Sequence, residues 1–453
     1  MLTALSKLIR IDIAPRIFLR KNIGNCKLLS RFLVDYNQID ELPKSIGQLS
    51  ELTVLGIKYN CLSELPVTIC NCEQLTELNI EGNHITQLPE NLLCHLKDSV
   101  SVVLSRNDFN SFPIGDKTQY KNVKENLLCH LKDSVSVVLS RNDFNSFPIG
   151  DKTQYKNVKH FRLDYNRLEI FEAVQLSENT QLTTLNLCNN NIITLDFTGI
   201  ETLKHLVELD LSYNQIGHLP DSIGELVSLE ILDLTSNRLE LIFSIFCLSE
   251  GIETLKHLVE LDLSYNQIGH LPDSIGELVS LEILDLTSNR LEGLPNRIGE
   301  LVRLVQLELE SNQIKSIPLN IGQLCQLQTL NLDVNKLSRL PSTIGNLNNL
   351  RKLRVKDNLL QRLPPEIGKL QNLTHLYLSN NKPLDLLPIE LGMLPSLRFL
   401  GIDGCSLKQM PVDITKNGSA SVIKIRYFMF EKIVYDESKA GKQLLHSSLL
   451  VVR

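Results

Sequence analysis

The sequence predicts an α/β solenoid, a curved horseshoe with a parallel strand ladder on its concave face and short helices or turns on its convex side. Three observations predict it. An asparagine recurs through nearly the whole chain, mostly at steps of 23 or 24 residues. Most copies are led by an L-x-L alternation and followed by a Leu-Pro pair. Finally, 43% of the 453 residues are hydrophobic but only 5% are aromatic and none is Trp, so leucine must fill the core.

The unit is clearest in LVRLVQLELESNQIKSIPLNIGQLCQ (Leu301 to Gln326) and LQTLNLDVNKLSRLPSTIGNLNN (Leu327 to Asn349). Both fit L-x-x-L-x-L-x-x-N-x-L-x-x-L-P-x-x-I-G-x-L, a leucine-rich repeat. Its anchors are Asn37, Asn60, Asn83, Asn107, Asn142, Asn166, Asn190, Asn214, Asn237, Asn266, Asn289, Asn312, Asn335, Asn358 and Asn381, with Cys405 in the last place. The L-x-L portion has period two, which gives a short strand with both leucines turned inward. Successive strands stack in parallel and line the concave face. The asparagine turns into the core, where its amide satisfies strand backbone groups that the turn leaves unpaired. Leu-Pro then ends the extended stretch, because Pro has no N–H and biases its predecessor away from helix. I-G-x-L returns along the convex side as a short helical or irregular turn, which the glycine serves. One unit cannot bury its own leucines, so the core exists only through stacking.

The solenoid is expected over 26–416, with about 16 repeats. Residues 1–25 read as a degenerate or truncated repeat rather than a mitochondrial presequence, 417–435 as a C-terminal cap over the open core, and 436–453 as a loose tail. Two stretches recur without a difference, 90–124 as 125–159 and 199–240 as 251–292, the second pair separated by LIFSIFCLSE (241–250). Such identity means a very recent duplication or an error in assembling the gene, and the insert reads most simply as translated non-coding sequence. The steps from Asn107 to Asn142 and from Asn237 to Asn266 exceed the period, so the extra residues are expected on the convex side, where the ladder is not interrupted.

Composition excludes several functions. A formal charge of −6 with no dominant basic stripe argues against nucleic acid. The ten cysteines lack paired C-x-x-C spacing and terminal clusters, so no metal site is expected, and most thiols should pack as small apolar groups in a reducing compartment. No apolar run is long enough to span a membrane. No Gly-rich phosphate loop, dinucleotide fingerprint, H-E-x-x-H pair or kinase catalytic loop occurs, so no enzyme activity and no cofactor are expected.

What remains is a surface. The variable positions around L-x-L face outward and offer a partner face. They carry Glu208, Asp210, Asp233, Glu260, Asp262, Asp285, Glu308, Glu310 and Asp333, after which the sign flips to Lys352, Arg354 and Lys356, followed by His375 and Tyr377. Nearer the start they carry Lys58, Glu77, Glu81, Arg162 and Asp164, with Tyr36, Tyr59 and Tyr165 just before their asparagines. Sorted charge of this kind steers association and sets specificity.

With its L-P-x-x-I-G-x-L units the chain resembles the intracellular Ras-group leucine-rich repeats, and within them the Shoc/Sur family of Ras-pathway scaffolds. The resemblance rests on the irregular units. ENLLCHLKDSVSVVLSRNDFNSFPIGDKTQYKNVKHFRLDYNRLEIF (Glu125 to Phe171) has the family's atypical repeat with Phe147-Pro148 and a Gly-containing loop. LYLSNNKPLDLLPIELGMLPSLRFLGIDGCSLKQMPVDI has its one-residue stretch after Asn381 and its loss of Asn at Cys405. The likeness covers roughly residues 26–430. It implies a scaffold of the cytoplasm, with the nucleus as a second location, monomeric outside its complex, that holds GTP-loaded Ras of the M type and the catalytic subunit of type-one protein phosphatase. Together these dephosphorylate Raf kinases and promote MAP-kinase signalling, with membrane recruitment only through Ras. Glu308, Glu310, Lys352, Arg354 and Lys356 are the face positions carried over. The family's Lys-rich N-terminal segment with its phosphatase-docking motif has no counterpart in these residues, and Lys424-Ile425-Arg426-Tyr427 reads as cap. Two other readings stay open: a Scribble/Erbin-type polarity adaptor, and the regulatory repeat fragment of a larger enzyme such as a phosphatase, cyclase or kinase.

Overall fold

The computed structural model describes residues 9–10, 23–89, 92, 101–109, 136–147, 157–239 and 254–408. Every asparagine anchor lies within them, and most make the same set of bonds. Asn312 is typical. Its Nδ2 donates to the carbonyls of Leu309 in its own strand (3.1 Å), Glu310 (3.3 Å) and Leu286 one repeat earlier (2.8 Å). Its Oδ1 accepts the Leu291 N–H at 3.0 Å. One amide thus satisfies up to four buried backbone groups and ties each repeat to the one before it. Where the series loses its amide, Cys405 Sγ donates to Leu378 O at 3.2 Å, one bond in place of four.

The strands between the anchors are β1 (Ile9–Arg10), β2 (Arg31–Leu33), β3 (Val54–Gly56), β4 (Glu77–Asn79), β5 (Ser101–Val103), β6 (Ser136–Val138), β7 (His160–Arg162), β8 (Ile170–Glu172), β9 (Thr184–Asn186), β10 (Thr194–Asp196), β11 (Glu208–Asp210) and β12 (Ile231–Asp233). They continue as β13 (Glu260–Asp262), β14 (Ile283–Asp285), β15 (Gln306–Glu308), β16 (Thr329–Asn331), β17 (Lys352–Arg354), β18 (His375–Tyr377) and β19 (Phe399–Gly401). The described residues form two compact units, one reaching Leu258 and one running from Val259. In the first, β1 to β7, β9, β11 and β12 pair in parallel in chain order, while β8 and β10 form a separate two-stranded pair. In the second, β13 to β19 form one uninterrupted parallel ladder.

The core is leucine, as the composition requires. Leu304, Leu307, Leu309, Ile314, Ile321 and Leu324 of one repeat are all fully buried. The atypical repeats substitute phenylalanine: Phe109 stacks on Phe144 at 6.4 Å between centroids, and Phe147 meets Phe161 and Phe171 edge-on. The return side is built from short 3-10 turns such as Leu319–Gln323 and Ser342–Asn346, each entered through a proline with extended backbone. A 3-10 turn closes three residues per turn, which suits a connection this short.

Two expectations are corrected. The glycine of I-G is there for close approach rather than for turning: a Cβ on Gly322 would stand 2.5 Å from the Thr343 carbonyl of the next turn. Most cysteines do not pack as core; of the seven described, only Cys70 and Cys72 are buried, and Cys61 and Cys325 are exposed. The long step after Asn107 leaves the ladder whole, because Ser101 pairs with Ser136 in register. Most of the extra residues of that step, the insert 241–250, the cap and the tail lie outside the described residues.

Candidate protein-binding face

Strand pairing in the second unit aligns one column of side chains across six repeats. Asp262 pairs with Asp285, Asp285 with Glu308, Glu308 with Asn331, Asn331 with Arg354 and Arg354 with Tyr377. Each stands four residues before its anchor, and neighbouring strands lie about 4.8 Å apart. The column therefore passes from acid through amide to guanidinium to phenol over roughly 24 Å. Beside it run Glu310, Asp333 and Lys356 on one flank, and Glu260, Lys352, His375 and Phe399 on the other.

The acids divide by what they hold. Asp210, Asp233, Asp262 and Asp285 each accept the N–H two residues ahead, at 2.8 to 3.0 Å, which fixes the turn into the anchor. Asn79, Asn186 and Asn331 do the same from the same position. These aspartates carry structure with one oxygen, and the second oxygen of Asp210 also accepts Asn186 Nδ2 at 2.8 Å. Glu308, one methylene longer, makes no such cap and receives Gln306 Nε2 at 3.1 Å. Glu310 accepts Asn331 Nδ2 at 3.0 Å. Glu208 of the first unit is exposed.

The sign change is knitted across strands. Asp333 is buried, and its carboxylate takes Arg354 at 2.7 to 2.8 Å together with the Lys356 N–H. Arg354 also approaches Glu310 at 3.8 Å and lies over the Tyr377 ring, 5.6 Å from its centre. Tyr377 in turn packs against Phe399 at 4.7 Å, with His375 beside both. Lys352 is exposed and Lys356 is half-buried beside Asp357. Burial raises the carboxyls of Asp285, Glu308 and Asp333; the neighbouring acids push the same way, while Arg354 opposes the shift at Asp333. The predicted residues of this unit thus share one face, with Asp333 and Arg354 committed to each other and Glu308, Glu310, Lys352 and Tyr377 presented. The aromatic platform of His375, Tyr377 and Phe399 was only partly read from sequence; Phe399 occupies the same column as Lys352 and His375, which is the signal that finds it.

Among the described residues no group of acids, His and Cys is arranged to hold a metal ion, and no helix is long and apolar enough to cross a membrane.

An open, charged, repeat-built face with rigid aromatic anchors defines a protein-interaction solenoid. Models of the leucine-rich-repeat region and the leucine-rich repeat match residues 297–412 and residues 27–85, 180–239 and 249–291. A leucine-rich-repeat protein of Leptospira interrogans is 31% identical in structural alignment, covering 84% of this chain and 92% of its own, with a TM-score of 0.71. The chain belongs to the leucine-rich-repeat family. It is also similar to the repeat ectodomain of the Arabidopsis thaliana membrane receptor kinase GASSHO1/SCHENGEN3, solved with CASPARIAN STRIP INTEGRITY FACTOR 2 (26% identity, 86% of this chain and 52% of that one, TM-score 0.62). Among curated proteins, disease resistance protein UNI of Arabidopsis thaliana is 37% identical over 25% of this chain and 12% of its own length. An adenylate cyclase of Podospora anserina is 38% identical over 16% of this chain and 4% of its own. The chain thus spans only a small part of those curated relatives.

Proposed function

We propose that this repeat protein is a non-enzymatic scaffold of Ras signalling, whose second-unit face receives a GTP-loaded Ras-type GTPase and which gathers the catalytic subunit of type-one protein phosphatase for action on Raf kinases. The observation that carries the reading is the ordered column Asp262–Asp285–Glu308–Asn331–Arg354–Tyr377, an acid-to-base gradient ending on an aromatic anchor. Such a surface selects a partner with the opposite gradient and imposes one orientation on it. The choice of Ras rests on the resemblance of the irregular repeats at Phe147-Pro148 and after Asn381 to the Shoc/Sur scaffolds. On this reading the protein works in the cytoplasm and reaches the membrane through its GTPase.

The test is a pull-down by the purified chain with Ras proteins of several types, loaded with GTP analogue or GDP, each with and without phosphatase catalytic subunit. Capture of the GTP form alone, strengthened by phosphatase, is the expected result. No capture by a folded chain overturns the Ras assignment.

A second reading has its own support. The adenylate cyclases and disease resistance proteins carry the matching repeats as 3 to 12% of their length. The chain is then the recognition region of a larger protein, and a transcript whose reading frame continues into a catalytic domain would establish it.

A further inference from the structure

The residue before each anchor has left-handed backbone, and in the first six repeats it is tyrosine or arginine at every place but Gly82. From the first anchor to the sixth the position holds Tyr36 (φ 56), Tyr59 (φ 53), Gly82 (φ 69), Arg106 (φ 56), Arg141 (φ 56) and Tyr165 (φ 56), and the unit continues with Asn189 (φ 52), Tyr213 (φ 53) and Ser236 (φ 54). Left-handed backbone costs a tyrosine or arginine about 1–2 kcal/mol, so these residues are not there for the turn alone. Their amides are fixed: Tyr36, Tyr59, Arg106 and Arg141 each donate to a carbonyl of the next repeat at 2.6 to 2.8 Å. The side chains consequently stand in a row along one edge of the ladder.

The row is organised by ring–cation contacts. Tyr36 and Tyr59 stack at 4.9 Å with 9° between planes, and Lys58 sits 5.5 Å from the centre of the Tyr36 ring. Gly82 leaves the space into which the Tyr59 ring lies, since a Cβ there would meet Tyr59 Cδ1 at 2.6 Å. Arg106 reaches back across that gap to the Tyr59 ring at 5.6 Å, and Arg141 reaches forward to the Tyr165 ring at 4.0 Å. Arg106 and Arg141 are the same residue of the duplicated segment, yet each serves a different ring. Carboxylates lie beneath the cations. Glu81 accepts the Tyr59 hydroxyl at 3.0 Å and holds Arg106 at 3.4 Å, with side-chain exposures of 24% for the acid and 45% for the arginine. Asp164 is only 9% exposed beneath Arg162 at 54%. The outermost layer is therefore basic and aromatic, its acids serving as tethers.

We propose that this row is a second docking surface, separate from the second-unit face, for an extended acidic segment of a protein partner. Exposed guanidinium groups already braced on tyrosine rings bind carboxylates without further ordering of the arginine, and tyrosine and arginine are the side chains enriched at binding hot spots. Five strand spacings separate Tyr36 from Tyr165, about 24 Å, which an extended segment of about seven residues spans. Acidic side chains would meet Arg106, Arg141 and Lys58, while the stacked Tyr36 and Tyr59 rings take an apolar or aromatic residue at one end. This inference does not depend on the Ras reading.

Fluorescence anisotropy with the whole chain and a labelled octaglutamate peptide tests it, with labelled octalysine as control. The peptide is expected to bind, more weakly as salt rises, with octalysine not bound at this row. Affinity should fall at least tenfold in Arg106→Glu/Arg141→Glu and severalfold in Arg106→Asn/Arg141→Asn, a milder pair that suits left-handed backbone. It should be unchanged in Lys352→Glu of the second unit, whereas reversal of Glu308 and Glu310 alters Ras capture alone. Absence of octaglutamate binding overturns the proposal, as does full affinity in a double variant with an unaltered melting curve. Tighter binding of a single-stranded oligonucleotide through the same arginines would overturn the choice of an acidic protein segment.

Discussion

At the residue scale the anchor asparagine does most to define the fold. Replacing Asn312 by Ala leaves the Leu291 N–H and up to three carbonyls without their partner. At about 1–3 kcal/mol for each buried group left unsatisfied, the loss should be about 3 kcal/mol or more. Chemical denaturation of the purified variant measures it; a loss under about 1 kcal/mol would mean that water replaces the amide. The residue before the anchor makes the opposite case. Val334 holds φ 55 with a β-branched side chain, exposed, in a conformation that Gly82 and Gly404 adopt at equivalent positions. Val334→Asn should relieve about 1 kcal/mol, raising the melting temperature by about 2–4 °C; an unchanged or lower transition contradicts the strain. The anchors were legible in the sequence because side-chain chemistry and period pointed the same way. The left-handed position was not read, although the two glycines in that column signalled it, because tyrosine, serine and arginine elsewhere hid the pattern.

At the element scale, each strand turns leucine inward and a variable residue outward. Leu307 and Leu309 are fully buried on either side of Glu308. Leu307→Asp places a carboxylate where no hydrogen bond awaits it and adds a packing loss of about 2–5 kcal/mol, so calorimetry should show the second unit melting far below its normal temperature. An unchanged melt would mean the strand register is wrong. The outward side has a pH signature. Asp285 and Glu308 have folded values raised above the ordinary 3.8 and 4.5, chiefly by burial and then by neighbouring acids. The folded state thus prefers them protonated; their contribution is full below the ordinary values and is lost as pH climbs through the raised ones. Asp285→Asn keeps the turn-capping oxygen, as Asn331 does, and sheds the charge. It should melt about 2 °C above the parent at pH 7, the difference closing toward pH 4, in a melting series across that range. A constant difference at all pH values would place its origin elsewhere. Strand register was legible, since L-x-L and the anchor fix both faces. The Asp333–Arg354 pairing was not: the two lie 21 residues apart in sequence, and only the parallel register brings them together.

At the scale of the whole molecule, the parallel ladder followed from the period alone, because a leucine strip with no other partner must stack on its own copy. The division into two compact units near the second duplicated segment was not anticipated, since the repeats on both sides of it fit the consensus equally well. The charges of the candidate face were legible as a list, and their ordering into a column was visible only once the pairing was known. That column concentrates the functional claim in the second unit, where Glu308, Glu310, Lys352 and Tyr377 share one surface.

Titration calorimetry of the purified chain with GTP-analogue-loaded Ras of the M type, beside Glu308→Lys/Glu310→Lys, tests that claim most directly. Specific binding of the GTP form, weakened at least tenfold by the reversal while the melting curve stays intact, is the predicted result. Binding untouched by the reversal, or equal for the GDP form, would contradict it.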